Sequence, residues 1–191
     1  MTEDGYLLFD TPVGRCGLAW HGGAISALQL PEPDDARTVR RMLRHVASTE
    51  SAPPHVTDDD APDWVRDVIA QVGALLEGRP QHLEDVPLDL RDTPDFARQV
   101  YALSRAIPPG QTLTYGEVAR RLGAPGASRA VGQALGSNPF AIIVPCHRVL
   151  AANGRSGGFS ASGGARTKLA LLALESPRDT PPEGDLFGWR G

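Results

Sequence analysis

Apolar residues change their spacing once along this chain, and that change limits the folds open to it. Tyr6-Leu-Leu-Phe-Asp-Thr-Pro, Cys16-Gly-Leu-Ala-Trp and Ile25-Ser-Ala-Leu-Gln-Leu are short runs that read as strands. The Pro12-Val-Gly14 turn and the Gly22-Gly23 pair sit where hairpin connections are needed, so an antiparallel meander is expected. From Asp34 the spacing becomes helical. Val39, Met42, Leu43 and Val46 share a face over 34–47, and Val65, Val68, Ile69, Val72, Leu75 and Leu76 form a stripe over 62–76. Gly78-Arg-Pro80 stops the second helix. Residues 48–61 show no periodicity and read as a mobile loop.

A second segment opens at Thr93-Pro94, a capping residue followed by proline at the first helical position. Phe96, Val100, Leu103 and Ile107 continue that helix until Pro108-Pro-Gly110. Thr114-Tyr-Gly-Glu117 is a capping box that opens a helix through Leu122. After the turn Gly123-Ala-Pro-Gly126 comes another short helix over 127–135, which makes the pair a helix-turn-helix candidate. The Pro-, Gly- and Asp-rich stretch 176–191 reads as a loose tail. The expected organisation is therefore an N-terminal α/β structural domain over 1–93, a mainly helical domain over 94–175, and the tail.

Charge divides the same way. Residues 1–93 carry 8 Lys or Arg against 17 Asp or Glu, a balance of −9, whereas 94–175 carry 9 against 3, a balance of +6. Such asymmetry suggests that the second segment meets a polyanion, although charge clustered by chance would look the same. No stretch approaches the ~20 apolar residues of a membrane helix. Met1-Thr-Glu-Asp lacks the basic and apolar regions of a secretory signal, so a cytoplasmic location is expected, with Cys16 and Cys146 both reduced.

The chemistry concentrates in Ile142-Ile-Val-Pro-Cys-His-Arg-Val149. A cysteine after three apolar residues is most often a core side chain. Here an imidazole follows it directly, and a thiol with a pKa of about 8.5 needs a base to become a nucleophile. Neighbours in a strand point to opposite faces, however, so the dipeptide alone does not decide.

Pro145-Cys-His-Arg-Val149 resembles the active-site signature of the O6-alkylguanine-DNA alkyltransferases (methylated-DNA–protein-cysteine methyltransferases). Thr114-Tyr-Gly-Glu-Val-Ala119, Arg129-Ala-Val-Gly132 and Ser137-Asn-Pro139 upstream are similar to that family in order and spacing, as are Gly157-Gly-Phe-Ser and Lys168-Leu-Ala-Leu-Leu-Ala-Leu-Glu175 downstream. The likeness covers 94–175; in the first segment mainly the Thr11-Pro-Val-Gly14 hairpin carries it. The resemblance implies an α+β fold, with a ribonuclease-H-like N-terminal meander and helices, then a helical domain bearing a helix-turn-helix and an active-site loop.

The resemblance also implies roles. Cys146 would be the nucleophile and the final acceptor of the alkyl group, in a single turnover. His147 would take the thiol proton through a water, and Glu175 would orient and charge-balance that imidazole. Glu175 ends a helix whose expected buried stripe is Leu169, Leu172 and Ala173. Asn138 would brace the turn beneath the thiol. On the residues alone, a solvated helix-end Glu and a plain helix-exit Asn fit as well.

The partner implied is double-stranded DNA carrying O6-alkylguanine, with O4-alkylthymine a further substrate, bound through the minor groove by a monomer. The damaged nucleotide is flipped out to reach the protein. Arg129 would fill the vacated stack and Tyr115 would press on the phosphate. Ala127, Ser128, Ala130, Gly132 and Ala134 keep the recognition helix small, which suits close approach with little sequence preference. The pocket would use Tyr115, Val149, Phe159, and either Ser160 or Ser162. The Gly157–Gly164 loop is somewhat longer than in many relatives and has Phe159 where Tyr is frequent.

The residues also admit other readings. A lesion binder without transfer would lack Cys146. A helix-turn-helix regulator would display longer polar side chains for reading bases. A Cys-His hydrolase would leave the helix pair unexplained. Cys16, His21 and His82 lack paired ligand spacing, so neither a metal site nor a cofactor is expected.

Overall fold

Strand pairing at the start of the chain produces the expected meander in the computed structural model, which describes residues 3–46, 52–152 and 163–176. Strands β1 (Asp4–Thr11), β2 (Gly14–His21) and β3 (Ala24–Gln29) pair antiparallel in that order. Gly22 and Gly23 both take positive φ, 55° and 82°, as a two-residue hairpin with matching twist requires. Alternation directs Cys16, Leu18 and Trp20 into the main core and Ala19, with Ala27 of β3, to the other face.

Helices cover both faces. Helix α1 (Asp35–Leu43) lays Met42 against Ala19 and Ala27, and Gly17 makes room for it: a Cβ there would meet the Met42 sulfur at 2.8 Å. The helix is shorter than the 34–47 expected. Asp34 caps it, accepting from the Arg37 N–H at 2.8 Å. Helix α2 (Asp63–Leu76) packs Val65, Val68, Val72 and Leu75 into the main core, as its spacing predicts.

Part of the loop expected over 48–61 is paired to the sheet. Residues 47–51 lie outside the described residues, but 54–56 run along the free edge of β1. Tyr6 N–H donates to Pro54 O at 2.9 Å, and Val56 N–H donates to Tyr6 O at 2.8 Å. Backbone groups at a sheet edge need partners whatever the side chains, so no periodicity announces such pairing.

The outer edge of β3 is shared by two later segments. Ile25 N–H donates to Pro87 O and Ile25 O accepts from Asp89 N–H, at 2.8 and 2.7 Å. Leu28 N–H donates to Pro139 O and Leu28 O accepts from Ala141 N–H, at 2.8 and 3.1 Å. The first sheet thus holds the turn that leads to Cys146.

Helix α3 (Asp95–Arg105) starts one residue later than expected: Pro94, not Thr93, occupies the capping position, and Ile107 lies beyond the helix end. Strand β4 (Leu113–Thr114) leads into α4 (Tyr115–Arg121) through the capping box, with Thr114 Oγ1 accepting from Glu117 N–H at 3.1 Å and the Glu117 carboxylate accepting from Thr114 N–H at 2.7 Å. Gly123 and Gly126, both at positive φ, turn the chain into α5 (Ser128–Gly136). Strand β5 (Val149–Leu150) pairs parallel with β4, and α6 (Ala165–Glu175) follows. Among the described residues no helix is long and apolar enough to cross a membrane.

Helix α6 buries a different face from the one expected. Thr167, Lys168, Ala170, Leu171, Leu174 and Glu175 point inward, while Leu169 is 55% exposed and Leu172 and Ala173 are half-buried. A helix apolar on nearly every side gives no single stripe to read. Leu171→Ala should therefore cost about 2–5 kcal/mol in chemical denaturation, whereas Leu169→Ala should stay within about 0.5 kcal/mol; equal losses would reverse the assignment of the faces.

Candidate active site

Asn138, at the exit of α5, organises the approach to the cysteine. Its Oδ1 accepts from Phe140 N–H at 2.9 Å, and its Nδ2 donates to Val144 O at 3.0 Å. Between these anchors Ile142 sits at φ 70°, a left-handed conformation that costs a β-branched residue about 1–3 kcal/mol. The surrounding bonds hold it there: Ile143 N–H to Ala141 O, Val144 N–H to Phe140 O and Cys146 N–H to Val144 O, all 2.8 Å. Pro145 then delivers Cys146 into a 3₁₀ turn spanning Cys146–Arg148. The segment is not a strand there, so adjacent side chains need not point to opposite faces.

Cys146, His147 and Arg148 are all buried. His147 Nε2 lies 2.8 Å from Glu175 Oε1. A carboxylate accepts, so Nε2 carries the hydrogen and Nδ1 holds a free lone pair. Nδ1 is itself buried and has no hydrogen-bond partner among the described residues. Arg148 grips the same carboxylate, Nε to Oε2 at 2.9 Å and Nη2 to Oε1 at 2.7 Å, while Nη1 donates to Ile107 O at 2.5 Å. Gly110 N–H reaches Oε2 at 3.3 Å. Gly110 has φ 78°, and a Cβ on it would meet Glu175 O at 2.9 Å, so glycine is required on both counts.

A second buried cation stands on the other side. Lys168 donates from Nζ to Val149 O at 2.6 Å, lies 3.5 Å from Tyr115 Oη, and sits 5.6 Å from the Tyr115 ring centre. Burial pushes the Cys146 thiol above its ordinary range; a hydrogen bond from Asn138 and the Lys168 charge pull it partly back. The thiol is therefore protonated at neutral pH and needs a base. Burial lowers the His147 pKa, against the pull of Glu175 and with help from Arg148 and Lys168. Its imidazole is neutral at pH 7 and able to take a proton. Burial alone would raise the Glu175 carboxyl, but the bonds from His147 and Arg148 outweigh it and hold it at about 2.

The structure brings Cys146, His147, Glu175 and Asn138 together, all four named from the sequence. Arg148 and Lys168 were not named. The signal available was a cation embedded among apolar neighbours, Lys168 in an apolar helix and Arg148 before buried Val149. Both also reduce the apparent basicity of 94–175, since with Arg105 they point inward; Arg105 Nη2 donates to the carbonyls of Leu83, Glu84 and Val86.

On the outer side, α4 and α5 meet where Gly132 faces Tyr115, a Cβ there falling 3.9 Å from Tyr115 Cε1. Arg129 is exposed and makes no ion pair among the described residues, while Ser128, Ala130 and Gly132 are half-buried. Arg120 and Arg121 are exposed nearby on α4. Phe159, Ser160 and Ser162 lie outside the described residues. Cys16 is fully buried against Thr11, its thiol pushed up to about 12 by burial. No group of three or more His, Cys, Asp or Glu that could hold a metal occurs among the described residues.

Comparison with known proteins gives a consistent picture. A family model described as the 6-O-methylguanine DNA methyltransferase DNA-binding domain matches residues 95–177. A methylated-DNA–protein-cysteine methyltransferase of Mycobacterium tuberculosis is 41% identical over 182 residues, 95% of this chain and 98% of that protein. The bifunctional transcriptional activator/DNA repair enzyme Ada of Escherichia coli is 36% identical over 174 residues, 91% of this chain and 46% of that protein. Among solved structures, Mycobacterium tuberculosis OGT in complex with DNA superposes with a TM-score of 0.70 at 38% identity, covering 92% of this chain and 96% of that one.

The Glu175 carboxylate makes a definite prediction about acid stability. Its folded pKa of about 2 lies below the ordinary 4.5, so the unfolded chain binds more protons between those values. The stabilisation is complete above 4.5 and is lost as pH falls towards 2, on the order of 3 kcal/mol. Denaturation midpoints measured across that window should fall steeply for the native chain and flatten in Glu175→Gln, which starts from a lower stability at neutral pH. An unchanged slope would contradict the assignment.

Proposed function

The chain belongs to the methylated-DNA–protein-cysteine methyltransferase family, enzymes of direct DNA repair, and we propose that here Cys146 takes the alkyl group from O6-alkylguanine once per molecule. The observation that carries this reading is the buried His147–Glu175 pair in the same turn as buried Cys146, with an open nitrogen on the imidazole. In the proposed step the Cys146 S–H bond breaks and its proton passes to His147 Nδ1, directly or through a water. The sulfur pair then forms the S–C bond as the C–O6 bond breaks, its electrons going to the guanine oxygen. The guanine is thereby left as an anion, its charge balanced by the imidazolium, and it becomes neutral when that proton returns to it at N1, directly or through water. A thioether has no good leaving route, so transfer ends the cycle. O4-alkylthymine presents a similar alkoxy carbon and is a second candidate substrate.

Reaching the lesion requires flipping the nucleotide out of the duplex. In this reading 1–93 forms the supporting domain, a meander with helices that fits a ribonuclease-H-like arrangement, and 94–175 faces the DNA. Helices α4 and α5 act as a helix-turn-helix, α5 entering the minor groove. Ser128, Ala130 and Gly132 permit close approach, and Arg129 fills the gap left by the base. Tyr115 presses on the phosphate and, with Val149 and the Phe159, Ser160 and Ser162 loop, lines the pocket. The protein acts as a cytoplasmic monomer and needs no metal or organic cofactor.

Labelled O6-methylguanine duplex should leave one label per molecule, on the peptide containing Cys146. Cys146→Ala should abolish transfer while retaining DNA binding, and Cys16→Ala should change little. Repeated turnover, or label on Cys16, would overturn the assignment.

Arg129 separates flipping from chemistry. Unstacking a base costs a few kcal/mol and each ~1.4 kcal/mol of barrier is tenfold in rate, so Arg129→Ala should slow duplex repair at least tenfold. Reaction with free O6-benzylguanine, or with a single-stranded lesion oligonucleotide, should change far less. Equal losses on duplex and unstacked substrates would show that Arg129 is not the wedge.

A further inference from the structure

Glu175 can orient His147 only if its own carboxylate is prevented from turning. The side chain ends a helix and has three rotatable bonds, and Oε1 serves two donors at once. What fixes it is the Arg148 fork: Nη2 to Oε1 at 2.7 Å and Nε to Oε2 at 2.9 Å define the carboxylate plane. The third arm, Nη1 to Ile107 O at 2.5 Å, ties the guanidinium to the segment that leads to Gly110, whose N–H also reaches Oε2. A lysine could supply the charge but not the plane. The fork also compensates the carboxylate, since Arg148 and Glu175 together are neutral.

Building on the alkyl-transfer reading, we propose that Arg148 is a positioning residue for the reaction: it locks and neutralises Glu175, so that His147 rests uncharged with its hydrogen on Nε2 and Nδ1 open towards the thiol proton. Arg148 itself exchanges no proton. Among the described residues, the charged groups acting on the imidazole are Glu175 and Lys168 from α6 and Arg148 from its own turn. Beyond Arg148, a small cavity is lined also by His82, Glu84 and Arg105. If Arg148 were neutral, the buried carboxylate would draw a proton onto His147. Proton transfer from Cys146 would then begin only at higher pH.

The test is the single-turnover rate of transfer from labelled O6-methylguanine duplex as a function of pH. In Arg148→Gln the acid limb should move to higher pH by about 1–3 units. In Arg148→Lys the limb should stay near the native position while the plateau falls at least tenfold. A merely structural role would lower the rate equally at every pH, and an unshifted limb in folded Arg148→Gln would overturn the proposal. A readout independent of variants is the ¹⁵N spectrum of His147 in the native chain. A neutral Nε2–H tautomer at pH 7 is expected, and an imidazolium or an Nδ1–H tautomer would overturn the proposal. Absence of label on Cys146 in the native chain would instead reject alkyl transfer, leaving the spectrum to report on Arg148 separately.

Discussion

One buried carboxylate holds the reactive end of this molecule together. Glu175 accepts from His147, from two nitrogens of Arg148 and from Gly110, which join the end of α6, the cysteine turn and the stretch between α3 and β4. Removing one partner from a buried ion pair typically costs about 3–5 kcal/mol, because an uncompensated charge remains. Here the same bonds also set the tautomer of the neutral His147 imidazole. Stability and chemistry therefore rest on the same atoms, and a change that loosens one loosens the other.

The second constraint is the edge of β3. Its outer N–H and C=O groups are divided between 87–89 and 139–141, so the first sheet holds the lead-in to Cys146 by backbone bonds. Asn138 then closes the turn from the opposite side, and the strained Ile142 is kept in place by hydrogen bonds on both flanks. Strain of this kind survives only where the surroundings over-determine the backbone. The acidic first segment thus helps to position the cysteine turn mechanically, although among its described residues no side chain hydrogen-bonds to Cys146, His147 or Glu175.

Features that depend on local chemistry were legible in the sequence. The meander followed from alternation and the Gly22-Gly23 pair, α2 from its clean apolar stripe, and α4 from the Thr114–Glu117 box. The site was legible only through resemblance: Cys146 and His147 are adjacent, but Glu175 lies 28 residues from its partner. Other features were hidden for identifiable reasons. The buried face of α6 was misjudged because leucines and alanines surround it. The pairing of 54–56 with Tyr6 runs through backbone groups that any sequence carries. Arg148 and Lys168 look like ordinary surface cations until burial and partners are known.

Those two residues also change what the charge asymmetry means. The +6 balance of 94–175 is spread over two tasks. Arg105, Arg148 and Lys168 face inward, bonded to carbonyls or to Glu175, and stabilise the turn and the site. Among the described residues Arg98, Arg120, Arg121, Arg129 and Arg166 remain outside. Turning three cations inward leaves fewer to grip phosphates than the net charge suggests, since each contact contributes one counterion's worth of affinity. Such binding suits a protein that must sample many undamaged sites before meeting a lesion.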